Sequence, residues 1–334
     1  MTSVGAMFPC AVEPEALPSY AHQVEALGYQ ELWVVEDCFF AGGIAAATAA
    51  LAATERLAVG IGVLPAVMRN PATAALELST LLRIFPGRVL PGFGHGVASW
   101  MEQIGALPPS QLAALGESVA AVRALLAGET VTTAGKHVRL DGVRLEFPIA
   151  EPPPISLGVR AARSLRLSGK VADGTVLSEL SAPAYVRWAR EQVDAGRAEA
   201  GRTDPHRYTV YAYLGLDEDG EWAVRRSIAR VLRGDCSVQL GPMGIAEEAA
   251  DLARIHAEEE DLARALPREW LHQLAVTGTP DEAAKTLREF HDAGADSVVF
   301  VPAGDPTQAL SGLAQAAAVG LTDPVVTESE SWPT

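Results

Sequence analysis

His95 stands between two glycines in the run Gly92-Phe93-Gly94-His95-Gly96, on a stretch of backbone that offers little side-chain cover to an imidazole. Histidine titrates near neutral pH, which suits proton transfer or hydrogen bonding to a ring; a plain structural histidine is the alternative. Two other runs carry comparable groups. In Glu36-Asp37-Cys38-Phe39-Phe40, Asp37 could anchor a polar ligand atom or transfer a proton, or it could cap a helix or order the loop. Gly158-Val159-Arg160-Ala161-Ala162-Arg163-Ser164 opens a helix, where free backbone N–H groups and the positive dipole end favour an anion. Arg160 and Arg163 add positive charge there, whereas Arg166 and Lys170 on the same helix fit a solvated, ion-paired face.

Glycines recur at the ends of apolar runs, in Gly60-Ile61-Gly62-Val63-Leu64-Pro65, in Gly92 to Gly96 and at Gly158. Each alone either makes a tight turn or lets a flat ligand or phosphate approach the backbone; three at one rim favour the ligand. Cys38 reads as packing or pocket lining. The chain shows no Ser/His/Asp constellation, no HExxH and no P-loop. Cys10, Cys38 and Cys236 lie far apart without metal-ligand spacing, so neither zinc nor a disulfide framework is expected.

The elements that must position these groups alternate. Short apolar runs and Ala/Leu/Glu/Arg-rich amphipathic segments succeed one another over nearly the whole chain, and strand-then-helix order favours a parallel sheet. Eight such strands are expected: SVGAMF, QELWVVE, LAVGIGVL, RVLPGFG, ISLGV, GTVLS, YTVYAYLGL and DSVVFVP. Helical material is expected over 97–127 and from about Thr307, with a hairpin insertion near 130–147 turning at Ala134-Gly135 and Asp141-Gly142. A helical insertion near 222–274 is broken by GDCSVQLGPMG, a segment that either closes over a substrate or is a passive loop. The expectation is one α/β domain over 1–334, a (β/α)8 TIM barrel with insertions. A doubly wound sheet is the rival, but no G-x-G-x-x-G follows the first strand. In a barrel the three runs above fall at the carboxyl ends of strands, where active sites are built.

Composition narrows the function. With 26 Lys+Arg against 42 Asp+Glu the net charge is −16, which repels nucleic acid and anionic membranes. The apolar run 42–53 is too short to span a bilayer, and the N-terminus lacks a secretory pattern, so the reducing cytoplasm is the expected location.

The succession LGYQELWVVED, GIGVLPAVMRNPATAALELSTL, GRVLPGFGHGVASWMEQIGA, LGVRAARSLRLSGKVADGTVLS and VTGTPDEAAKTLREFHDAGADSVVFVP resembles the luciferase-like flavin and deazaflavin oxidoreductases from the first strand to the last. It is most similar to members that use the deazaflavin coenzyme F420, such as the methylenetetrahydromethanopterin reductases. The resemblance implies a (β/α)8 barrel, a homodimer, and a cofactor ring at the carboxyl ends of the strands, with a small organic molecule as substrate. It implies a bulge with a non-proline cis peptide at the third strand, which by position is Gly62-Val63, behind the ring. The phosphate-bearing tail would meet Gly158 to Ser164, including Arg160, Ala161, Ala162 and Arg163. Gly94, His95, Gly96 and Val97 would flank ring or tail, and Asp37 matches an acidic position in the pocket. Asp37 and His95 are thus the expected catalytic residues of an F420-dependent enzyme that moves a hydride between the ring's C5 and the substrate. An FMN-dependent monooxygenase on the same fold and a non-catalytic flavin-binding protein are the alternatives. The sugar-phosphate dehydrogenase branch has an Asp-His pair and a glutamate where this chain has Asp37-Cys38 and Val97, which argues against glucose 6-phosphate oxidation. Many relatives have Gly-Pro where Ala161-Ala162 stands.

Overall fold

The computed structural model describes residues 3–305 and 309–322. Among them lie eleven strands: β1 (Ser3–Met7), β2 (Glu31–Val34), β3 (Ala58–Pro65), β4 (Val89–Gly94), β5 (Val131–Ala134), β6 (Arg139–Val143), β7 (Ser156–Gly158), β8 (Gly174–Leu177), β9 (Arg207–Gly215), β10 (Ala275–Thr277) and β11 (Ser297–Pro302). Between β1 and β5 run α1 (Leu17–Ala26), α2 (Gly43–Ala52), α3 (Pro71–Ile84), α4 (Ala98–Gln103) and α5 (Gln111–Leu126). Then come α6 (Ala162–Val171), α7 (Pro183–Glu199), α8 (Glu218–Val231), α9 (Ser237–Leu240), α10 (Ala246–Ile255), α11 (Glu259–Ala265), α12 (Arg268–Leu274), α13 (Pro280–Asp292) and α14 (Ala309–Ala318).

β1, β2, β3, β4, β7, β8, β9 and β11 pair in that order, all parallel, and β11 returns to β1, closing a (β/α)8 barrel. Both faces of a parallel strand are covered, so every residue of β2 and of β8 is buried. Alternate residues face opposite ways. Leu32 and Val34, Val210 and Ala212, and Val298 and Phe300 belong to the cluster that contains the helix residues Ala47, Leu78 and Leu165. Trp33, Tyr211, Tyr213 and Val299 belong to a second cluster.

Glu31 closes one end of that interior. It is 3% exposed and accepts from Trp33 Nε1 at 2.8 Å, from Ser297 Oγ at 3.1 Å, and from Ser3 and Arg207. Burial alone would raise its carboxyl, but Arg207 and these donors hold it below the usual range.

Several boundaries differ from the sequence expectation. The helical stretch over 97–127 is two helices, because Gly105 adopts φ +69° and Pro108-Pro109 follow before α5 starts with a Ser110 cap. Asp141-Gly142 lies inside β6 rather than in a turn. Gly142 sits at φ +61°, its N–H donates to Thr132 Oγ1, and the register of the antiparallel β5–β6 pair shifts there. β10, a short parallel strand on β9, was not expected. GDCSVQLGPMG carries α9 and a 3-10 turn. Thr307, the expected start of the last helix, lies outside the described residues, and α14 is described from Ala309.

Candidate active site

A cleft of about 370 Å³ opens at the carboxyl ends of the barrel strands. Glu36 and Asp37 after β2, Gly62, Val63 and Pro65 in β3, and His95 to Val97 after β4 contribute to its wall. Gly158 to Ala161, Ser164, Val176, Ser178 and Tyr211 complete it, with Trp100 at one side.

The β3 wall is irregular. Its register with β4 shifts between Ile61 and Leu64, and the Gly62-Val63 peptide bond is cis, as is Cys38-Phe39. Here the structure changes the reading of the glycines, because Gly60, Gly62, Gly94 and Gly158 each accommodate a side chain of the protein itself. A Cβ at Gly60 or Gly62 would overlap the Trp33 indole or the Tyr211 hydroxyl inside the barrel. A Cβ at Gly94 would overlap the Val63 side chain, and one at Gly158 would stand 2.6 Å from Val63 Cγ1. Glycines of β4 and β7 therefore house the side chain of the bulge, and Gly62 and Val63 both line the cleft. Gly96 needs its freedom for a different reason, lying at φ +71° against Pro65 and Met101.

Two adjacent carboxylates have separate fates. Glu36 turns inward, 5% exposed, where Arg69 donates to both its oxygens at 2.7 and 2.9 Å and the Gly43 N–H donates at 2.7 Å. Arg69 is delivered by the loop that ends at the Asn70 cap of α3, with Pro71 at the first helical position, where a missing N–H is tolerated. Asp37 is left to the cleft. Burial raises its carboxyl, opposed by the Cys10 thiol beside it, and Cys10 itself is pushed up to about 11 by burial and by Asp37. Cys38 is buried, with its Sγ 3.6 Å from Met68 Sδ.

His95 lies 3.0 Å through Nε2 from Ser164 Oγ in the first turn of α6. Burial lowers its pKa, opposed by a hydrogen bond with the Gln111 backbone. The cap of α6 is Ala161, which offers no side chain to the first N–H groups. Arg160 is exposed at this helix start. Its carbonyl accepts from Tyr185 Oη at 2.7 Å, and its guanidinium donates to the Asp235 carbonyl at 3.1 Å, tying the segment before α9 to the cleft mouth.

The structure thus brings Asp37, Gly62, Val63, His95, Gly96, Val97, Gly158, Arg160, Ala161 and Ser164 to one cleft. Gly94 stands behind Val63, and Ala162 and the exposed Arg163 lie off the lining. Arg166 and Lys170 pair with Glu199 on the surface. Sequence reasoning missed Tyr211, Ser178, Trp100 and, beside Ser178, Glu179. A tyrosine in the middle of an apolar run has no local mark that separates a cleft floor from a core. Glu179 did carry a signal, a lone carboxylate directly after a buried strand. Burial and then Asp37 raise its pKa, with its own backbone opposing. Among the described residues no group of three or more His, Cys, Asp or Glu could hold a metal, and no helix is long and apolar enough to cross a membrane.

A family model described as luciferase-like monooxygenase matches residues 3–297. The 5,10-methylenetetrahydromethanopterin reductase of Methanolobus tindarius is 29% identical over 296 residues, 86% of this chain and 89% of the relative. An F420-dependent glucose-6-phosphate dehydrogenase of Nakamurella multipartita is 29% identical over 265 residues, 77% of this chain and 75% of the relative. The solved structure of the coenzyme F420 dependent tetrahydromethanopterin reductase from Methanopyrus kandleri superposes with a TM-score of 0.82 at 21% identity, covering 94% of this chain and 97% of that one.

Proposed function

The chain belongs to the luciferase-like monooxygenase family, and on that premise we propose that it is a coenzyme F420-dependent oxidoreductase moving a hydride between C5 of the deazaflavin and a small organic substrate. The observation that carries this reading is the cleft wall itself: a backbone bulge at Gly62-Val63 whose side chain is stowed among glycines, facing the uncapped start of α6. The curated relatives add support, since their names attach F420 or tetrahydromethanopterin chemistry to chains 29% identical to this one.

The residues present fit such a cofactor. The cleft volume of about 370 Å³ lies in the range of roughly 300–1,000 Å³ usual for cofactor and small-ligand pockets. The free first-turn N–H groups of α6 and Arg160 would hold a phosphate. His95 would flank the ring or the tail beside Ser164 in the first turn of α6. Gly62-Val63 would support the ring, and Asp37 would orient a polar group or carry a proton. Once bound, the cofactor supplies the redox chemistry; the protein binds, orients and excludes water. Val97, 47% exposed, and Cys38, packed on Met68, supply no acid/base pair of the sugar-phosphate kind. The same reading takes the enzyme to be a cytoplasmic homodimer.

Fluorescence titration of the purified protein tests the proposal. Saturable binding of F420 with weak or no binding of FMN is expected. Binding of FMN alone overturns it in favour of an FMN-dependent monooxygenase. F420 binding without oxidation of the reduced cofactor by any enone, imine or nitro acceptor leaves a binding protein.

A further inference from the structure

Arg160 lines the cleft at the start of α6, and two distant segments hold it there. Its carbonyl accepts from Oη of Tyr185, a fully buried residue of α7, at 2.7 Å. Its guanidinium donates through Nη1 to the backbone carbonyl of Asp235 at 3.1 Å. The Asp235 carboxylate is engaged within its own segment, where Oδ1 accepts from the Ser237 N–H at 3.0 Å and from Ser237 Oγ at 2.6 Å, an Asx turn. Between them, Cys236 is buried in the same cluster as Leu240, and its thiol donates to the Val231 carbonyl at 3.3 Å. The carbonyl offered to Arg160 therefore stands on a closed turn fastened to the core, although Asp235 and Ser237 are themselves exposed.

The kind of acceptor matters. Arg69 and Arg207 are paired with the carboxylates of Glu36 and Glu31, which offset their charge. Arg160 is held by an uncharged carbonyl, which fixes the direction of a guanidinium without neutralising it and leaves the rest of its donor fork for an anion. An exposed arginine otherwise spreads over many rotamers, and fixing it beforehand removes an ordering cost from binding.

Resting on the functional reading above, we propose that Asp235 and Ser237 are positioning residues of the phosphate site. The turn they close holds the Asp235 carbonyl against Arg160 and so keeps the guanidinium at the first turn of α6, where the free N–H groups favour an anion. The segment after α8 thus raises affinity through Arg160 rather than by a contact of its own. Its contribution goes to ligands that carry a phosphate and not to the deazaflavin ring alone.

Titration of the full chain with F420 and with a deazaflavin truncated before its phosphate tests the proposal. Asp235→Ala, which opens the turn, is expected to weaken F420 about fivefold and to leave the truncated ligand unchanged. Ser237→Ala, which removes one of the two donors, is expected to lose less. Asp235→Asn keeps an oxygen for Ser237 and is expected to retain at least wild-type affinity. In an Arg160→Ala background, Asp235→Ala is expected to cost nothing further, as for a residue that acts through another. Without any ligand, Arg160→Ala is expected to speed hydrogen exchange at the amides of 235–237. Unchanged or tighter F420 binding by Asp235→Ala, equal losses for both ligands, additive losses in the double variant, or unchanged exchange overturns the proposal. Failure of the wild type to bind either ligand sinks the functional reading instead, and the exchange result then decides the Arg160–Asp235 contact by itself.

Discussion

The Val63 side chain fills the space that a side chain at Gly158 would need, Cγ1 standing 2.6 Å from where that Cβ would be. Gly158 ends β7, and the cleft continues directly into Val159 and Arg160. One contact between neighbouring strands therefore couples the bulge under the cleft to the helix start at its mouth.

Gly158→Ala tests that coupling. A methyl group forced into a packed site costs about 1–3 kcal/mol, and here the backbone of the bulge or of the α6 entry must yield. Thermal melts are expected to show a modest loss. Cofactor titration is expected to show a larger one, about tenfold in affinity, as for 1.4 kcal/mol. A destabilised variant with wild-type affinity would show that the bulge takes no part in binding.

Arg160→Ala separates the two ends of the cleft. The guanidinium lies at the α6 N-terminus, where an anion is favoured. Affinity for full-length F420 is expected to fall about tenfold, more steeply at low salt, with little change for a deazaflavin truncated before its phosphate. Equal losses for both ligands would place the contact elsewhere.

Arg69→Met leaves the Glu36 carboxylate, 5% exposed, with only the Gly43 N–H as donor. Removing one partner of a buried pair costs about 3–5 kcal/mol, read as a shift in the urea midpoint. The double variant Arg69→Met with Glu36→Gln is expected to regain part of that loss, because no charge is stranded. No recovery would mean that the pair matters for packing alone.

His206 sets an acid limit. Its Nε2 lies 2.8 Å from Thr175 Oγ1, and its pKa is lowered from 6.5 to about 4 by burial and then by the charges of Arg197 and Arg202. An unfolded chain takes up a proton below about pH 6.5 that the folded chain refuses down to about pH 4. Stability is therefore lost as pH falls through that window, by an amount on the order of 3 kcal/mol. His206→Gln keeps a partner for Thr175 and is expected to flatten this part of the stability curve. Parallel wild-type and variant curves would assign the acid limit to other groups.

What the sequence determined by itself is what neighbours along the chain can express. Apolar runs separated by amphipathic segments dictated a parallel barrel, because strands covered on both faces and helices covered on one leave those signatures locally. The barrel in turn directed attention to Asp37, His95 and Gly158 to Ser164, and the start of α6 was legible because helix initiation is local. The tertiary structure alone decided which glycine serves which side chain, that Arg69 takes Glu36 and leaves Asp37 to the cleft, and that an unpaired Tyr211 hydroxyl lies behind Gly62. These partners stand on different strands, far apart in the chain. Closing the barrel is what makes them neighbours, and a side chain's burial and charge environment exist only once that closure has occurred.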